Sequence, residues 1–174
     1  VEPHHRRPPR REVQVARAEA GHGAQELIDA RGVEGAFGDV VVGEGGGILE
    51  KMLPAFQAFV GGPVGSGDQY VAWIQLDDLI SLILLALDNQ AVSGPLNLTA
   101  PQPVRMREFA KILGTVLHRP AVVPVPELAL KLLLGEGAQV ALASQRVLPR
   151  RALDLGYKFR YPDLQSALVF TLKR

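Results

Sequence analysis

The amino-acid sequence predicts an α/β fold, and three observations carry that prediction. Short β-branched or alternating runs stand at residues 39–42, 69–75 and 95–98. Stretches with helical spacing of apolar residues follow these runs, so that strands and helices alternate along the chain. Glycine and proline separate the stretches, as in the loop at residues 61–67. Alternation of this kind is typical of α/β or α+β domains.

The first predicted elements are a strand at residues 39–42 and a helix at residues 48–60. The strand ends in glycines, which indicates a buried strand leading into a loop. In the helix, Pro54 is expected to interrupt or kink the backbone. Residues 69–75 then alternate along the chain. One face of this second strand should carry Tyr70, Ala72 and Ile74, and the other Val71, Trp73 and Gln75.

Helices make up most of the remaining prediction. Asp77 is expected to cap the next helix, because it precedes an apolar stripe. That stripe consists of Leu79, Ile80, Ile83, Leu84 and Leu87. A strand at residues 95–98 and an amphipathic helix at residues 106–117 follow. A short β-like run is expected at residues 121–125, and apolar helical stretches at 128–134 and 140–144. The final predicted helix covers residues 162–172, with Pro162 in its first position.

Composition excludes several classes of function. The net charge of +1 gives no bulk attraction to nucleic acid or membranes, and the absence of cysteine excludes disulfides and thiolate catalysis. The longest apolar run, residues 79–87, is far shorter than the ~20 residues of a membrane span. His4 and His5 lack a third ligand nearby, so no metal site is expected. The arginines at residues 6–11 lack interleaved aromatics, so no nucleic-acid partner is expected.

Residues 1–38 differ from the rest of the chain. They are rich in Arg, Pro, Gly and Ala and contain few large apolar residues, so they bury too little to offset the entropy of ordering. We expect a mostly disordered or weakly attached segment, with a short helix at residues 24–30. A cytoplasmic location is expected. A mitochondrial one is the alternative, although Glu2, Glu12 and Glu19 argue against a transit peptide.

Motifs from residue 39 to 174 form an ordered set. They include the Val-Val-Gly-Glu-Gly-Gly-Gly of residues 41–47, the Gly-Gly-Pro-Val-Gly-Ser-Gly of residues 61–67 and the Trp-Ile-Gln-Leu-Asp-Asp-Leu of residues 73–79. Ser-Gln-Arg-Val-Leu-Pro at residues 144–149 and Tyr-Pro-Asp at residues 161–163 continue the set. With these motifs, residues 39–174 resemble the C-terminal half of the atypical extended short-chain dehydrogenase/reductases. The closer resemblance is to their epimerase family, the nucleoside-diphosphate-sugar epimerase-like proteins.

The resemblance implies the C-terminal part of an NAD(P)-binding Rossmann-like fold with a small α+β substrate lobe. Residues 39–174 would be that substrate-lobe portion, and residues 1–38 would lie outside the family. The family binds NAD or NADP at a glycine-rich turn after its first strand, and this sequence has no match to that fingerprint in its N-terminal context. We therefore expect this chain to bind no cofactor by itself.

The catalytic pair that the resemblance implies is also missing. The family uses a tyrosine as acid/base, with a lysine four residues later that lowers its pKa. The residues four positions after Tyr70, Tyr157 and Tyr161 are Ile74, Tyr161 and Gln165. No catalytic residue is therefore assigned, and whether the chain is an enzyme stays open. One hypothesis explains both absences: residues 1–38 come from an alternative exon or a shifted frame that joins the family sequence near Gly38.

Four residues are candidates for a substrate cleft. Trp73, Gln75 and Asp77 lie where a strand runs into a helix, a loop that borders the cleft in the family. Arg146 is the fourth, because a guanidinium group matches phosphate oxygens. The alternatives stay open: Trp73 as a core residue, Asp77 as a helix cap, Gln75 as a surface amide and Arg146 as part of a solvated basic turn. Arg150 and Arg151 share that last alternative. Asn97 ends a short predicted strand, so a role in a turn is favoured at least as much as a ligand contact.

Two functions follow as hypotheses. In the first, the chain is a truncated epimerase-family protein, inactive alone, whose intact parent is an NAD(P)-dependent oxidoreductase or epimerase with a small or nucleotide-linked substrate. In the second, the chain is a non-catalytic interaction module that self-associates through an exposed sheet edge at residues 39–42. Lost neighbours would then leave residues 40–42 and 82–87 exposed, and we expect marginal stability or aggregation.

Overall fold

The computed structural model describes residues 35–37, 40–43, 47–89, 92–125 and 144–173. The strands in these ranges are β1 (Gly35–Phe37), β2 (Val40–Val42), β3 (Tyr70–Val71), β4 (Trp73–Gln75), β5 (Leu96–Leu98) and β6 (Val104–Arg105). The helices are α1 (Gly47–Gln57), α2 (Leu76–Asp88), α3 (Met106–Leu117), α4 (Arg150–Asp154) and α5 (Leu164–Leu172).

Parallel pairing organises the first part of the fold. Strand β1 pairs with β5, and β2 pairs with β4 in the register Val40 to Trp73. On its other edge, β4 accepts a hydrogen bond at Trp73 O from Ala100 N, at 2.7 Å. All three residues of β4 are buried, as expected of a strand that is covered on both faces.

The two faces of β4 belong to two apolar clusters. Trp73 lies in a cluster with buried residues of β2, α1, α3 and α5, whereas Ile74 lies in one with residues of α2, β5 and α4. The first cluster includes Phe56, Phe109 and Leu168, and the second includes Leu79, Leu82 and Leu96. The predicted alternation of side chains in this strand is therefore confirmed.

An antiparallel pair and a loop complete the described fold. Strand β3 pairs with β6, so that Tyr70 stands opposite Arg105. The loop at residues 61–65 lies along residues 123–125, with Val123 N donating to Gly61 O at 3.2 Å and Val125 N to Pro63 O at 2.9 Å. A parallel bridge joins Val64 to Val125, as expected of the β-like run predicted there.

The structure corrects the limits of three predicted elements. Helix α1 continues through Pro54 and ends at Gln57, so the predicted interruption is wrong. Residues 69–75 form two short strands with different partners rather than one. Helix α5 begins at Leu164, and Asp163 caps it by accepting a hydrogen bond from Ser166 N. Pro162 therefore lies one residue before the cap and not in the first turn of the helix. The Asp163 carboxylate can accept a hydrogen bond from a free amide at the start of α5, whereas a proline ring cannot.

The predicted exposure of residues 40–42 and 82–87 is also corrected. Val40 is 2% exposed, and Val42 and Leu82 are 0% exposed. Strand β2 is covered by helices α1 and α5, which contact it, while Leu82 packs in the cluster on the opposite face of β4. Local packing within this chain thus buries part of the apolar surface that the prediction left open, while Val41, Leu84, Leu85 and Leu87 are half-buried.

Regular structure begins before residue 39. Strand β1 covers Gly35–Phe37 and pairs with β5, although the sequence placed these residues in a weakly attached segment. The composition around these residues is unfavourable for ordered structure. The parallel pairing with β5 supplies hydrogen-bond partners that composition does not reveal. The boundary between residues 38 and 39 remains a prediction.

Several predictions concern residues outside the described ranges. They are the disorder of residues 1–34, the helices at residues 24–30, 128–134 and 140–143, and the loop at residues 44–46. In the part of the chain that the structure describes, no helix has the length and apolar character needed to cross a membrane.

Gly62 is required for the close approach of residues 121–125, because a Cβ atom on it would overlap the carbonyl of Val123. We expect Gly62→Ala to lower the free energy of unfolding by about 1–3 kcal/mol, measured by urea denaturation. Gly94 is a matched control, since nothing lies within 4 Å of its Cβ position and its φ of +73° is tolerated by asparagine. Gly94→Asn should cost less than about 1 kcal/mol. Equal effects of both substitutions would contradict this account.

Candidate functional site

The carboxyl ends of β2 and β4 form the candidate site, because ligands of α/β folds bind at the carboxyl ends of parallel strands. Strand β2 ends at Val42 and is followed by Gly43, and β4 ends at Gln75. Helix α2 starts at the next residue, Leu76. Two of the predicted cleft residues, Gln75 and Asp77, therefore lie at this edge.

Gln75 is the N-cap of α2. Its side-chain oxygen accepts a hydrogen bond from Asp77 N, and only 3% of the residue is exposed. Two alternatives from the sequence are thereby wrong: Asp77 is not the cap, and Gln75 is not a surface amide. The helix begins two residues earlier than expected, because the glutamine side chain folds back onto the amide of Asp77, the second residue of α2.

Trp73 is a core residue. It is 0% exposed, and its indole Nε1 donates to Gln102 O at 2.8 Å. The hydrogen bond satisfies the only polar atom of the ring, as burial of tryptophan requires. Trp73 thus anchors the segment after β5 to the sheet.

Asp77 keeps contact with solvent at the carboxyl end of β4. Its side chain is 20% exposed, and Oδ2 lies 3.6 Å from Nη1 of Arg160, whose side chain is 55% exposed. Such a partly exposed pair contributes little to stability. Asp77 and Arg160 therefore offer a carboxylate and a guanidinium group at the edge where a ligand would bind.

Asp78 is a buried polar position beside the candidate site that the sequence analysis missed. The residue is 2% exposed, and its carboxylate accepts three hydrogen bonds. Tyr157 Oη and Arg160 N donate to Oδ1 at 3.0 and 2.9 Å, and Tyr161 N donates to Oδ2 at 2.9 Å. The carboxylate thus holds residues 157–161 against the start of α2. A signal was present, since Asp78 precedes the buried Leu82 by one helical turn.

The surroundings of Tyr157 change the pKa of its hydroxyl. Burial, the negative charge of Asp78 and the hydrogen bond to it raise the tyrosine pKa far above its usual value. The hydroxyl therefore remains a donor to Asp78 throughout the neutral range and well into the alkaline one.

Arg146 lies apart from the other candidates. Its guanidinium carbon is 5.6 Å from the centre of the Tyr70 ring, at the opposite end of the extended segment that finishes at Gln75. Gln75 lies five residue steps along extended chain from Tyr70, which corresponds to about 16 Å. Arg150 and Arg151 are exposed on α4. The structure therefore brings Gln75 and Asp77 together but not Arg146.

Asn97 has a structural contact rather than a place in a turn. It lies within β5, and its Nδ2 donates to Leu148 O at 3.1 Å. The predicted turn is wrong because parallel pairing with β1 extends the strand over Asn97.

Gly43 is the glycine that follows β2 at this edge. A Cβ atom on it would lie 3.1 Å from the side chain of Leu76. The missing side chain of Gly43 is thus explained by packing against α2. Among the residues that the structure describes, no group of three or more His, Asp or Glu side chains is arranged to hold a metal ion.

Comparisons with known proteins agree on one group of relatives. Residues 125–170 match a family described as a domain of unknown function (DUF1731). The chloroplastic epimerase family protein SDR39U1 homolog of Arabidopsis thaliana is 54% identical over 129 residues, which cover 74% of this chain and 37% of the plant protein. The Staphylococcus aureus epimerase family protein SAR0825 is 41% identical over 143 residues, which cover 82% of this chain and 47% of the bacterial protein.

The fold is similar to that of a solved human protein. The crystal structure of human epimerase family protein SDR39U1 (isoform 2) with NADPH superimposes with a TM-score of 0.75 and 37% identity. The match covers 82% of this chain and 48% of the human chain. The chain thus spans about half the length, or less, of the relatives it matches.

Tyr157→Phe removes one donor from the buried Asp78 carboxylate. We expect the free energy of unfolding at pH 7 to fall by about 1.5–3 kcal/mol, because hydrogen bonds to charged groups contribute that much. Tyr70→Phe is the control, since the described contacts of Tyr70 use its ring and its backbone, which phenylalanine keeps. It should change stability by less than about 0.5 kcal/mol. Urea denaturation measures both.

The same contact should weaken at high pH. The folded pKa of Tyr157 is raised, so its contribution is complete below the unfolded pKa of about 10 and is lost as pH rises above it. The stability difference between wild type and Tyr157→Phe should therefore be constant from neutral pH to about pH 9 and shrink beyond about pH 10. A difference that grows with pH would contradict the assigned contact.

Proposed function

Since the chain belongs to the epimerase family of the extended short-chain dehydrogenase/reductases, we propose that it is the substrate-lobe portion of an NAD(P)-dependent oxidoreductase or epimerase. The family resemblance and the Rossmann-like fold class expected from the sequence are confirmed by the same matches. The proposed substrate of the intact protein is a small or nucleotide-linked molecule.

One observation carries the proposal. The human relative that shares this fold at 37% identity was crystallised with NADPH. Its fold continues beyond the half that matches this chain, and the dinucleotide supplies hydride chemistry when it is bound. This chain has no Tyr-x-x-x-Lys and no match to the family's glycine-rich fingerprint in its N-terminal context. We therefore propose that the chain alone does not catalyse the reaction.

The proposed contribution of this chain is the polar edge at the end of β4. Asp77 and Arg160 are partly exposed there, so they are the groups that we propose to meet a polar substrate. Gln75 positions Asp77 through its hydrogen bond to the Asp77 amide, and Trp73 supports the edge from the core. Arg146 takes no part in this edge, because it stacks on Tyr70 at the other end of the extended segment.

The proposal is tested with NADPH titrations of two proteins. The first is the 174-residue chain. The second is the human relative in which residues 35–174 of this chain replace the matching segment. Isothermal titration calorimetry should show NADPH binding by the chimera with an affinity within about tenfold of the human protein. The chain alone should show no binding at concentrations that saturate the human protein.

Two results would contradict the proposal. NADPH binding by the chain alone, at the affinity of the human protein, would show that the described half holds a cradle of its own. A folded chimera that does not bind NADPH would show that this chain is not an equivalent substrate lobe. Asp77→Asn in the chimera is the matched control, and it should leave NADPH affinity unchanged because Asp77 is proposed to face the substrate.

A second candidate function is self-association through the edge of β2. In the described residues, β2 is paired on one edge only, with β4. Val40 N donates to Ala72 O at 3.0 Å, and alternate residues of a strand point their amides to opposite edges. The amide of Val41 therefore points away from β4, toward an edge where another strand can pair.

Proline at position 41 distinguishes this candidate. Val41→Pro removes the amide on the outer edge and leaves the hydrogen bond from Val40 to β4 in place. If the edge joins two copies, sedimentation velocity should show an associated wild type and a variant whose dimer constant is at least about tenfold weaker. Circular dichroism controls for folding of the variant. A wild type that is monomeric at all concentrations, or an unchanged dimer in the folded variant, would exclude association through this edge.

A further inference from the structure

Two arginines stack on the ring of Tyr70 in β3, and the three side chains form a row. Arg105 comes from the paired strand β6, and Arg146 comes from the segment before α4. The guanidinium carbon of Arg105 is 5.0 Å from the centre of the Tyr70 ring, and that of Arg146 is 5.6 Å from it. Each distance lies within the range of a cation–π contact. Two like charges are thus held on one aromatic ring.

Backbone pairing fixes this arrangement on both sides of Tyr70. Arg105 stands directly opposite Tyr70 in the antiparallel ladder, so both side chains leave the same face. On the other side, Gln145 N donates to Tyr70 O at 3.2 Å, and Tyr70 N donates to the hydroxyl of Ser144 at 3.0 Å. Arg146 follows immediately. Beside Arg105, Met106 N donates to Gln69 O at 2.9 Å. The two arginines therefore come from segments far apart in sequence, and hydrogen bonds on the two sides of β3 position them.

Positive charge is in excess around this row. Arg105 Nη1 donates to Asp68 O at 3.0 Å, and Arg107 pairs with the carboxylate of the same aspartate. Among the described residues of this cluster, the carboxylate of Asp68 contacts two guanidinium groups, those of Arg105 and Arg107. Arg146 adds a third guanidinium group on the ring of Tyr70. The side chains of Arg105, Arg107 and Asp68 are each about half exposed, so the excess charge is accessible to a ligand.

The chemistry of the cluster favours a phosphate group. Guanidinium groups present a planar fork of N–H donors that matches phosphate oxygens, and stacking on an aromatic ring orders the fork before binding. The contacts of Arg105 with Asp68 use Nη1, while the guanidinium has five donors in all. A bound dianion would also relieve the repulsion between Arg105 and Arg146.

We propose that Arg105 and Arg146, ordered by Tyr70, form a binding site for the phosphate group of a small molecule. The site lies at the amino end of the extended segment from Tyr70 to Gln75, whereas the proposed substrate edge lies at its carboxyl end. It is thus separate from that edge and does not depend on the function proposed for it. Arg107 adds charge, and Asp68 holds Arg105 and Arg107 in place.

The test is calorimetric titration of the full chain with inorganic pyrophosphate at constant ionic strength. Arg105→Gln and Arg146→Gln should each weaken binding at least about tenfold. Arg119→Gln is the matched control, because Arg119 also stacks on an aromatic ring, 4.4 Å from the centre of Phe59, and it should change the affinity less than about twofold. Arg146→Lys keeps the charge but not the planar fork, so it should bind more weakly than wild type.

The other results of these titrations each support or overturn the phosphate site. Tighter binding of ADP than of pyrophosphate supports the site and identifies a nucleotide as the source of the phosphate, and equal binding supports a site for the phosphate group alone. Absence of pyrophosphate binding overturns the proposal. An equal loss of affinity in Arg119→Gln, or full affinity in Arg146→Lys, also overturns it. Either result indicates non-specific attraction by positive surface charge rather than a defined binding site. Tighter binding of a hexaglutamate peptide than of pyrophosphate overturns it in favour of an acidic protein partner.

Discussion

The confinement of strand β4 is the constraint on which the rest of the structure depends. Its residues are buried on both faces, and hydrogen bonds connect its segment to Val40 on one edge and to Ala100 on the other. A shift of one residue would exchange Trp73 and Ile74 between two apolar clusters of different composition. Because such an exchange would leave both clusters badly packed, the register of β4 is fixed. The orientation of α2, which starts directly after it, is fixed with it.

The start of α2 shows how that orientation separates two neighbouring carboxylates. Asp77 points to the partly exposed edge and approaches Arg160, while Asp78 is buried and accepts three hydrogen bonds from residues 157–161. One carboxylate is therefore available to a ligand, and the other attaches the C-terminal segment to the sheet. A buried carboxylate without these donors would be strongly unfavourable, so the segment and the helix depend on each other. The family match at residues 125–170 includes this attached segment.

Two polar regions lie at the two ends of one extended segment. At the carboxyl end, Asp77 and Arg160 are paired and nearly neutral together. At the amino end, Arg105 and Arg146 share the ring of Tyr70 and leave positive charge in excess. The buried residues between them, Val71 to Ile74, keep the two regions apart. A chain that covers 48% of the human relative thus carries two separate polar surfaces, of which we propose the first as part of a substrate edge.

The sequence by itself determined the order of strands and helices and the family, because these follow from local periodicity and from motifs in a fixed order. It also indicated residues at the end of β4 as a candidate site, yet it left the core position of Trp73 open, assigned the helix cap to Asp77 and overlooked Asp78. Only the tertiary structure decided these points, since Gln75 reaches Asp77 N and the donors to Asp78 come from residues about eighty positions away. The meeting of Arg105 and Arg146 on Tyr70 was likewise decided by the fold. Periodicity records which face of an element is apolar, but it carries no information on which distant segment will pack there.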